Sequence, residues 1–115
     1  MRTIKFRGKS INSGKWVYAI LYGFGMDWFD ESVDEDTIGQ FTGLHDANGK
    51  EIYEGDIFQV KAYEPKFEVF FKNGVFEYRQ IGIPNRPYPL RRIYFDSYVL
   101  GNIHDNPELL KRDTK

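Results

Sequence analysis

The stretch Phe41–Val60, FTGLHDANGKEIYEGDIFQV, combines turn-forming residues with short apolar runs. Asp46-Ala47-Asn48-Gly49 predicts a chain reversal, because an Asx residue starts a turn well and Asn-Gly accepts positive φ. Ile52-Tyr53 resumes an apolar segment, Glu54-Gly55-Asp56 breaks it, and Ile57–Tyr63 then alternates apolar and polar residues. The stretch therefore predicts two short strands joined by tight turns, the second with one core face and one solvent face.

The next segment toward the C-terminus contains the clearest hairpin signal in the chain. Phe67–Lys72 and Val75–Gln80 flank Asn73-Gly74, and a two-residue Asn-Gly loop predicts a type I′ turn with a fixed register. Counting back from the turn gives three cross-strand pairs: Phe71 with Phe76, Val69 with Tyr78, and Glu68 with Arg79. The first two pairs share one face, and the charged pair lies on the other.

The N-terminal segment predicts a second hairpin followed by an acidic segment. Met1–Ser10 and Lys15–Phe24 read as strands joined by Asn12-Ser13-Gly14. Lys15–Phe24 is apolar on both faces, which is typical of a strand that is central or covered on its second side. Met26–Asp36 predicts a solvated loop or one helical turn; a calcium loop is the alternative, but the ligand spacing of an EF-hand is absent.

Length and composition favour one small, sheet-rich domain. The chain has 115 residues, of which 17% are aromatic, and aromatic side chains suit a pleated surface. It has no cysteine, which excludes disulfides and thiolate chemistry. The longest apolar run, Trp16–Leu21, is far too short to span a membrane, and the start of the chain lacks a signal-peptide core. We therefore expect no membrane association and a cytoplasmic location.

Charge is segregated along the chain although the formal net charge is only −1. Residues 1–22 carry five basic groups and no acidic one, residues 23–58 carry ten acidic groups against Lys50 alone, and residues 59–95 carry seven basic and three acidic groups. A fold that joins the two basic segments would have a dipolar surface suited to head-to-tail contacts or to a charged partner. The alternative is that these charges solvate strand edges and loops.

The proline-rich segment Ile81–Leu90 predicts a surface loop, because proline cannot donate to a central ladder. It also holds a mixture of guanidinium groups and an aromatic ring that suits phosphates and bases. The candidate contact residues for a protein partner or nucleic acid are Arg86, Tyr88, Arg91 and Arg92, joined by Lys5, Arg7 and Lys9. The alternative is a rigid connection whose arginines pair with the acidic segment or cover apolar surface.

The C-terminal part predicts closing strands and a short helix. Leu90–Phe95 and Tyr98–Ile103 read as strands separated by Asp96-Ser97. Asn106-Pro107-Glu108-Leu109-Leu110 reads as a helix start, with Asn as cap, Pro at the first helical position and Glu near the N-terminal dipole. Leu109 and Leu110 would anchor this helix.

No complete catalytic or metal-binding set emerges from the remaining polar residues. His45-Asp46 and His104-Asp105 offer imidazole and carboxylate ligands, but no further ligand follows from their spacing, and aspartates that bond their own turns explain them equally. Glu54 and Asp56 suggest an acid/base pair, yet both flank a glycine turn where backbone N–H groups need acceptors. We therefore expect no enzyme, no catalytic residue, no cofactor and no metal.

Several ordered motifs resemble the YopX family of phage and prophage proteins. They include Phe6-Arg7-Gly8-Lys9, Gly14-Lys15-Trp16, and the run Thr37-Ile38-Gly39-Gln40 before the opening stretch. The residues that carry the resemblance most closely, all read as structural, are Thr42, Gly43, Leu44, Asp46, Gly49, Ile52, Tyr53, Glu54, Gly55, Asp56, Gly101, Asn102, Asn106 and Pro107.

The resemblance implies one mainly β YopX-like domain over residues 1–115. Its core, 37–110, is expected to be an SH3-like, partly open β-barrel with a short C-terminal helix, and residues 1–36 are expected to add an N-terminal β-hairpin extension and acidic loop. The family carries no established activity. We expect a phage-derived protein of the host bacterial cytoplasm that acts as a non-enzymatic protein-interaction or self-assembling module, with an unknown protein partner or a homo-oligomer. The alternative is a nucleic-acid-binding accessory protein that uses the basic, aromatic loop.

Overall fold

The protein is built almost wholly from antiparallel strands, which a computed structural model describes over residues 3–22, 25–26, 29–60, 65–83, 86–90 and 96–111. The strands are β1 (Lys5–Ser10), β2 (Trp16–Tyr22), β3 (Gly25–Met26), β4 (Val33–His45), β5 (Glu51–Tyr53), β6 (Asp56–Gln59), β7 (Phe67–Lys72), β8 (Val75–Gln80), β9 (Tyr88–Pro89) and β10 (Tyr98–Asn102). A single 3₁₀ turn, Pro107–Leu110, follows β10.

The strands form two antiparallel five-stranded sheets. The first sheet has the order β3-β2-β1-β4-β5, and the second has the order β10-β6-β7-β8-β9. The chain passes from one to the other at Glu54-Gly55, between β5 and β6. Gly55 is held from both sides there, since its N–H donates to the carbonyl of Val69 at 2.8 Å and its carbonyl accepts from Ile103 N–H at 2.9 Å. With φ at +93°, this position favours glycine.

The architecture is therefore mainly β, as predicted, but its finer form differs from the expectation. The described strands make two sheets and do not close into one barrel, so the SH3-like barrel is not confirmed. The N-terminal hairpin is also part of a larger sheet, because β1 pairs with β2 on one side and with β4 on the other. β4 runs unbroken across residues 36 and 37, where the predicted core was to begin.

The acidic segment is only partly the predicted loop: residues 29–32 are irregular, but the last four residues are strand. Val33–Asp36 forms the first part of β4, with Val33 opposite Ser10 and Asp34 opposite Lys9. Sequence reasoning missed this because Asp and Glu, which fill three of these four positions, are depleted in strands, and Val33 alone does not outweigh them. The long-range ladder to β1 imposes the extended conformation.

The reversal predicted within the opening stretch is confirmed, and Asp46 holds it together. One carboxylate oxygen, Oδ1, accepts the N–H groups of Asn48 and Lys50, each at 2.9 Å. The other, Oδ2, accepts the N–H of Val99 in β10 at 2.9 Å. Asp46 thus forms the Asx turn expected of it and also ties that turn to the second sheet.

The Asn73-Gly74 hairpin is confirmed in turn type and register. Both turn residues have positive φ, at 54° and 82°, as a type I′ turn requires. Phe71 lies opposite Phe76 and Val69 opposite Tyr78. The Glu68 and Arg79 side chains meet at 3.5 Å. Local turn chemistry is sufficient to set this register because the two strands are adjacent in sequence.

The hydrophobic core lies against one face of the second sheet, where Phe58 and Val69 pack with Ile52 of β5, and all three are almost completely buried. Phe67 and Tyr78 pack against Phe58 with ring centroids 5.4 and 5.5 Å away. Each such side chain contributes roughly 1.5–3 kcal/mol of transfer free energy. Because this core draws on β5, β6, β7 and β8, it also holds the first sheet against the second.

The C-terminal segment is a 3₁₀ turn and not the predicted helix. Asn106 makes no side-chain cap hydrogen bond to the turn, so the predicted capping role is wrong. Its Oδ1 instead accepts the N–H of Asn102 at 3.2 Å, and Cβ at Gly101 would collide with the same side chain. No residue of Pro107–Leu110 is buried, and Leu110 is among the exposed apolar residues.

The proline-rich segment is exposed where it is described, and Tyr88–Pro89 adds a two-residue edge strand to β8. Proline is tolerated there because the outer edge needs no donor. The expected strand Leu90–Phe95 lies outside the described residues except for Leu90. Tyr98–Ile103 is confirmed as a closing strand over Tyr98–Asn102.

Candidate interaction surface

β1 directs three basic side chains, Lys5, Arg7 and Lys9, to one face by the period of two. We call this set the basic stripe. Each member pairs with a carboxylate far along the chain. Lys5 Nζ lies 3.1 Å from Glu51 Oε1, a guanidinium nitrogen of Arg7 lies 2.7 Å from Asp56 Oδ1, and Lys9 pairs with Asp105.

Arg7 lies inside the protein between two aromatic rings. Its guanidinium carbon is 4.3 Å from the ring centroid of Trp16 and 4.5 Å from that of Tyr53, a cation–π sandwich. Arg7 is 6% exposed and Asp56 1%, so the ion pair is fully enclosed. Burial raises the pKa of Asp56, while Arg7 and the Tyr53 N–H, which donates to Asp56 Oδ2 at 2.7 Å, favour its charged form.

The second carboxylate of the suggested acid/base pair is also engaged with backbone. Glu54 Oε1 accepts the N–H of Gln40 at 3.3 Å, and the backbone N–H of Glu54 donates to the Gln40 carbonyl. Both carboxylates thus hold the junction between the sheets together. Their surroundings are those of structural acceptors.

Asp105 gathers three donors on its carboxylate. Trp16 Nε1 donates to Oδ2 at 2.9 Å, Asn102 Nδ2 donates to the same oxygen at 3.1 Å, and Lys9 pairs with Oδ1. Partial burial would raise the pKa of Asp105, but the three donors outweigh it and lower the pKa to about 2. Asp105 thus fastens β1 and β2 to the segment after β10.

The two histidines each pack against an aromatic ring. His45 lies edge-on to Phe41 with ring centroids 5.5 Å apart, and His104 lies edge-on to Trp16 at 6.0 Å. Within residues 3–22, 25–26, 29–60, 65–83, 86–90 and 96–111, no group of three or more histidines and carboxylates is placed to hold a metal ion.

The motif residues of the opening stretch make structural contacts. Thr42 Oγ1 donates to the Ile52 carbonyl at 2.8 Å and accepts the N–H of Leu44 at 3.2 Å. Gly43 and Gly49 have positive φ. These interactions hold β4 and β5 in register around the turn, which agrees with the structural role predicted for them.

The late motif is a second turn organised by Asn102. Its Oδ1 accepts the N–H groups of His104 and Asp105 at 3.0 and 2.9 Å, and its backbone carbonyl accepts the N–H of Asn106. Pro107 then opens the 3₁₀ turn. The turn presents Asp105 to Lys9 and Trp16, so its geometry supports the link to the first sheet.

The outer strands of the second sheet differ from these internally bonded regions, because several of their apolar and basic side chains face solvent. We name this set the hairpin surface: Phe71, Lys72, Val75 and the half-buried Phe76 at the end of the β7–β8 hairpin, together with Tyr88 and Arg86, which lie farther from the turn along the β9 edge. Phe71 and Tyr88 are each 45% exposed and Val75 is 51% exposed.

Aromatic contacts make the hairpin surface continuous with the core. The rings of Phe71 and Phe76 are 4.9 Å apart, and Tyr88 stacks on Tyr78 at 5.3 Å with an interplanar angle of 26°. Tyr78 in turn contacts Phe58. The rings of Tyr78 and Tyr88 therefore lead from the buried Phe58 to the exposed β9 edge, and Phe71 and Phe76 form a separate ring pair nearer the turn.

The predicted contact residues thus fall into separate places. Arg86 and Tyr88 lie on the exposed edge of the second sheet, whereas Lys5 and Arg7 lie in the first sheet, Arg7 buried and Lys5 paired with Glu51. A buried, paired arginine is not accessible to a partner, so Arg7 is excluded from the candidate surface. Arg91 and Arg92 lie outside the described residues.

Sequence reasoning overlooked the aromatic partners of the basic stripe. In the β1–β2 ladder Lys9 lies opposite Trp16 and Arg7 opposite Tyr18, so alternating cations face alternating rings across one hairpin. That cross-strand pattern was present in the sequence and indicates cation–π pairing. The distant carboxylates had no comparable local signal.

Comparison with known proteins gives consistent results. A family profile described as YopX protein matches residues 2–111. A search of curated proteins gives no match. A crystal structure of protein EF1440 from Enterococcus faecalis is similar, with 28% identity and a TM-score of 0.58 over 94% of this chain and 98% of that one.

The helical segment that the structure describes is too short to cross a membrane. The family match covers nearly the whole chain and includes every motif on which the resemblance was based. The chain therefore belongs to the YopX family.

Proposed function

We propose that the chain is a non-enzymatic protein-interaction module that binds through the hairpin surface. The observation that carries the proposal is the exposure of Phe71, Val75 and Tyr88 along the outer strands of the second sheet, with Lys72 opposite Val75 and Arg86 two residues from Tyr88. Most other charged motif residues are engaged internally. Exposed apolar side chains grouped at one end of a sheet are typical of interaction sites.

Charge and rigidity support the same function. Among the described side chains, Lys72 and Arg86 form no ion pair, in contrast to Lys5, Arg7 and Lys9. Tyr88 is held by stacking on Tyr78 before any partner arrives, so that ring loses little side-chain entropy on binding. A preformed aromatic surface with an adjacent cation has the composition of an interface centre.

The proposal is tested by capture experiments with the tagged full chain and extract of a bacterial host. Phe71→Ser and Val75→Asp remove apolar contact on the hairpin surface, and Leu100→Ser, in β10, is the matched control at an exposed apolar residue elsewhere. We expect specific association, with itself or with a host or phage protein, that both surface variants lose and the control retains. Association that none of the variants alters, or a chain that binds nothing, overturns the proposal.

A second function, binding of single-stranded nucleic acid, is favoured by one observation. Tyr88 presents a ring that is stacked on Tyr78 on one side and lies two residues from Arg86, an arrangement that suits base stacking and phosphate contact. Fluorescence anisotropy with a labelled oligonucleotide at low and high salt tests it. Binding that falls steeply with salt and is lost in Tyr88→Ala supports this function; no binding at low salt rejects it.

The setting of the protein is part of the proposal. Membership of the YopX family supports a phage or prophage origin and work in the cytoplasm of the bacterial host. A partly open, SH3-like arrangement of the core stays a prediction for an experimental structure to test.

A further inference from the structure

We infer that the partner of the hairpin surface is a second copy of this chain, whose acidic cleft receives the hairpin tip in a head-to-tail contact. This inference rests on the proposed function and names its partner. Three features carry it: a bulge that builds the cleft, unpaired charges of opposite sign on the two surfaces, and the placement of those surfaces on different sheets.

The cleft arises from a large irregularity in the β1–β4 ladder. Arg7 lies opposite Gly39, but Lys9, two residues later, lies opposite Asp34. The additional β4 residues between Asp34 and Gly39 bulge away from β1, and Thr37 secures the bulge by accepting Lys9 N–H at 2.8 Å and donating to the Asp34 carbonyl at 2.6 Å. Bulges of this kind redirect side chains and recur beside functional sites.

The resulting cleft has an apolar wall and an acidic rim. It has a volume of about 740 Å³ and is lined by Ile11 and Val33 and by the carboxylates of Asp34, Glu35 and Asp36. Lys9 also lines it, but its charge is paired with Asp105. Ile11 is 65% exposed, the largest exposure among the large apolar residues of the described chain. The volume is within the range of cavities that bind ligands, roughly 300–1,000 Å³, so there is room for the side chains at a hairpin tip.

The charges of the two surfaces are complementary and uncompensated within one chain. In the described residues Glu35 and Asp36 form no ion pair, and neither do Lys72 and Arg86. Lys72 lies directly opposite Val75, at the end of the hairpin, so a cation and an apolar side chain would enter the cleft together. Opposite charge at the rim and apolar contact at the wall match what the tip presents.

A second copy fits better than the same chain because the two surfaces belong to different sheets. The cleft is formed by β1, β4 and the β1–β2 turn of the first sheet, and the tip belongs to β7 and β8 of the second. Unlike surfaces that bind each other make a heterologous contact, which yields a ring if the rotation closes and a chain if it does not. Nucleic acid is disfavoured as the partner, since the acidic cleft would repel it and would remain unoccupied.

The experiment measures the mass of the full chain by light scattering and sedimentation from low to high micromolar concentration. Lys72→Glu reverses a charge at the hairpin tip, and Glu35→Lys reverses a charge in the cleft. Lys111→Glu is the matched control at an exposed lysine outside both surfaces. We expect the wild type and the control to associate, and each reversal to weaken association at least about tenfold, as like charges at an interface do. Raised salt should weaken the wild-type contact in the same direction.

Mixing the two reversed chains provides the decisive arm. The intact cleft of Lys72→Glu accepts the intact tip of Glu35→Lys, and the reversed tip and reversed cleft also attract, so the mixture should regain the wild-type mass. Circular dichroism and urea unfolding establish that both variants fold. A monomeric wild type, association that neither reversal weakens, or a mixture that stays dissociated overturns the inference.

These failures are distinguishable from failure of the proposed function. If the wild type is monomeric but captures another protein that Phe71→Ser loses, the second copy is wrong and the interaction module stands. If a labelled oligonucleotide binds instead and Lys72→Glu abolishes that binding, the partner is nucleic acid and both the second copy and the protein-interaction module are rejected.

Discussion

The basic stripe of β1 and the hairpin surface of the second sheet contain similar residue types but differ in charge pairing and in exposure to solvent. Both combine cations with aromatic rings, and the predicted partner contacts included the basic stripe and, on the hairpin surface, Arg86 and Tyr88. In the stripe, Arg7 is stacked between Trp16 and Tyr53 and paired with Asp56, whereas at the hairpin surface Arg86 is exposed and without an ion pair. Residue type therefore does not determine the role; the presence of a buried counter-charge does.

Replacement of the two arginines, Arg7 and Arg86, should give the largest difference in the free energy of unfolding between the basic stripe and the hairpin surface. Arg7→Met should lower the free energy of unfolding by about 3–5 kcal/mol, because Asp56 is left buried without its cation. Arg86→Met, the matched change on the exposed edge, should shift it by less than about 0.5 kcal/mol. Urea unfolding of both variants provides the measurement. Equal effects would show that the stripe and the hairpin surface do not differ in structural role.

The next largest difference in stability is expected between matched substitutions at two tyrosines: Tyr53, which packs on Arg7 of the basic stripe, and Tyr88 on the hairpin surface. The Tyr53 hydroxyl donates to Glu51 Oε1 at 2.8 Å, in a site that Lys5 also joins. Burial alone would raise the pKa of Glu51, but the hydrogen bonds from Tyr53 and Lys5 outweigh it and lower the pKa. Tyr53→Phe should thus cost about 1–2 kcal/mol, since a charged acceptor loses a donor. Its counterpart Tyr88→Phe should be nearly neutral, and a comparable loss in thermal or urea unfolding would contradict the contrast.

The third comparison uses the pH dependence of stability. It begins with Asp105, the carboxylate that pairs with Lys9 of the basic stripe. The pKa of Asp105 is lowered from 3.8 to about 2, so its ionised form stabilises the fold above about pH 4 and that contribution is lost as the pH falls toward 2. Because the carboxylate is 35% exposed, solvent screening reduces the effect to about 1 kcal/mol. Asp105→Asn should remove this part of the pH dependence, which makes the stability difference between the variant and the wild type shrink from pH 5 to pH 2.

The matched substitution for that experiment is Asp36→Asn, which changes an exposed carboxylate in the acidic cleft. Its stability difference from the wild type at pH 5 should be smaller than that of Asp105→Asn, because Asp36 forms no ion pair among the described residues. Urea unfolding at several pH values gives both curves. Parallel behaviour of the two variants would mean that Asp105 does not fasten β1 to the turn after β10.

The smallest stability effect is expected at the hairpin surface itself. Phe71→Ser should cost less than about 1 kcal/mol, because the ring already contacts water and loses mainly its edge contact with Phe76. Val69→Ala, two residues away on the same strand, should cost about 2–4 kcal/mol, because Val69 is fully buried. The ratio of the two losses in the free energy of unfolding, measured by urea unfolding, reports how sharply β7 passes from the core to the surface.

Much of the candidate site could be anticipated from the sequence where the signal is local. The exposed positions of Tyr88 and Arg86 follow from prolines that exclude a central strand, and the fixed ring pair of Phe71 and Phe76 follows from the register of the Asn-Gly turn. The cleft could not be anticipated. It depends on which β4 residues lie opposite β1, and that bulge is stabilised by Thr37, whose partner Lys9 is distant in sequence.

The sequence by itself determined the β class, the turns at Asp46 and Asn73, and the hairpin between β7 and β8, because these depend on residues a few positions apart. Only the tertiary structure decided that the strands form two sheets, that Arg7 is buried, and that every cation of the basic stripe is paired. The Lys5–Glu51 and Arg7–Asp56 pairs span 46 and 49 residues, and neither partner carries a local mark of the other. Whether a charged side chain is buried beside a counter-charge or exposed to water depends on contacts between residues far apart in sequence, and only the tertiary structure shows these contacts.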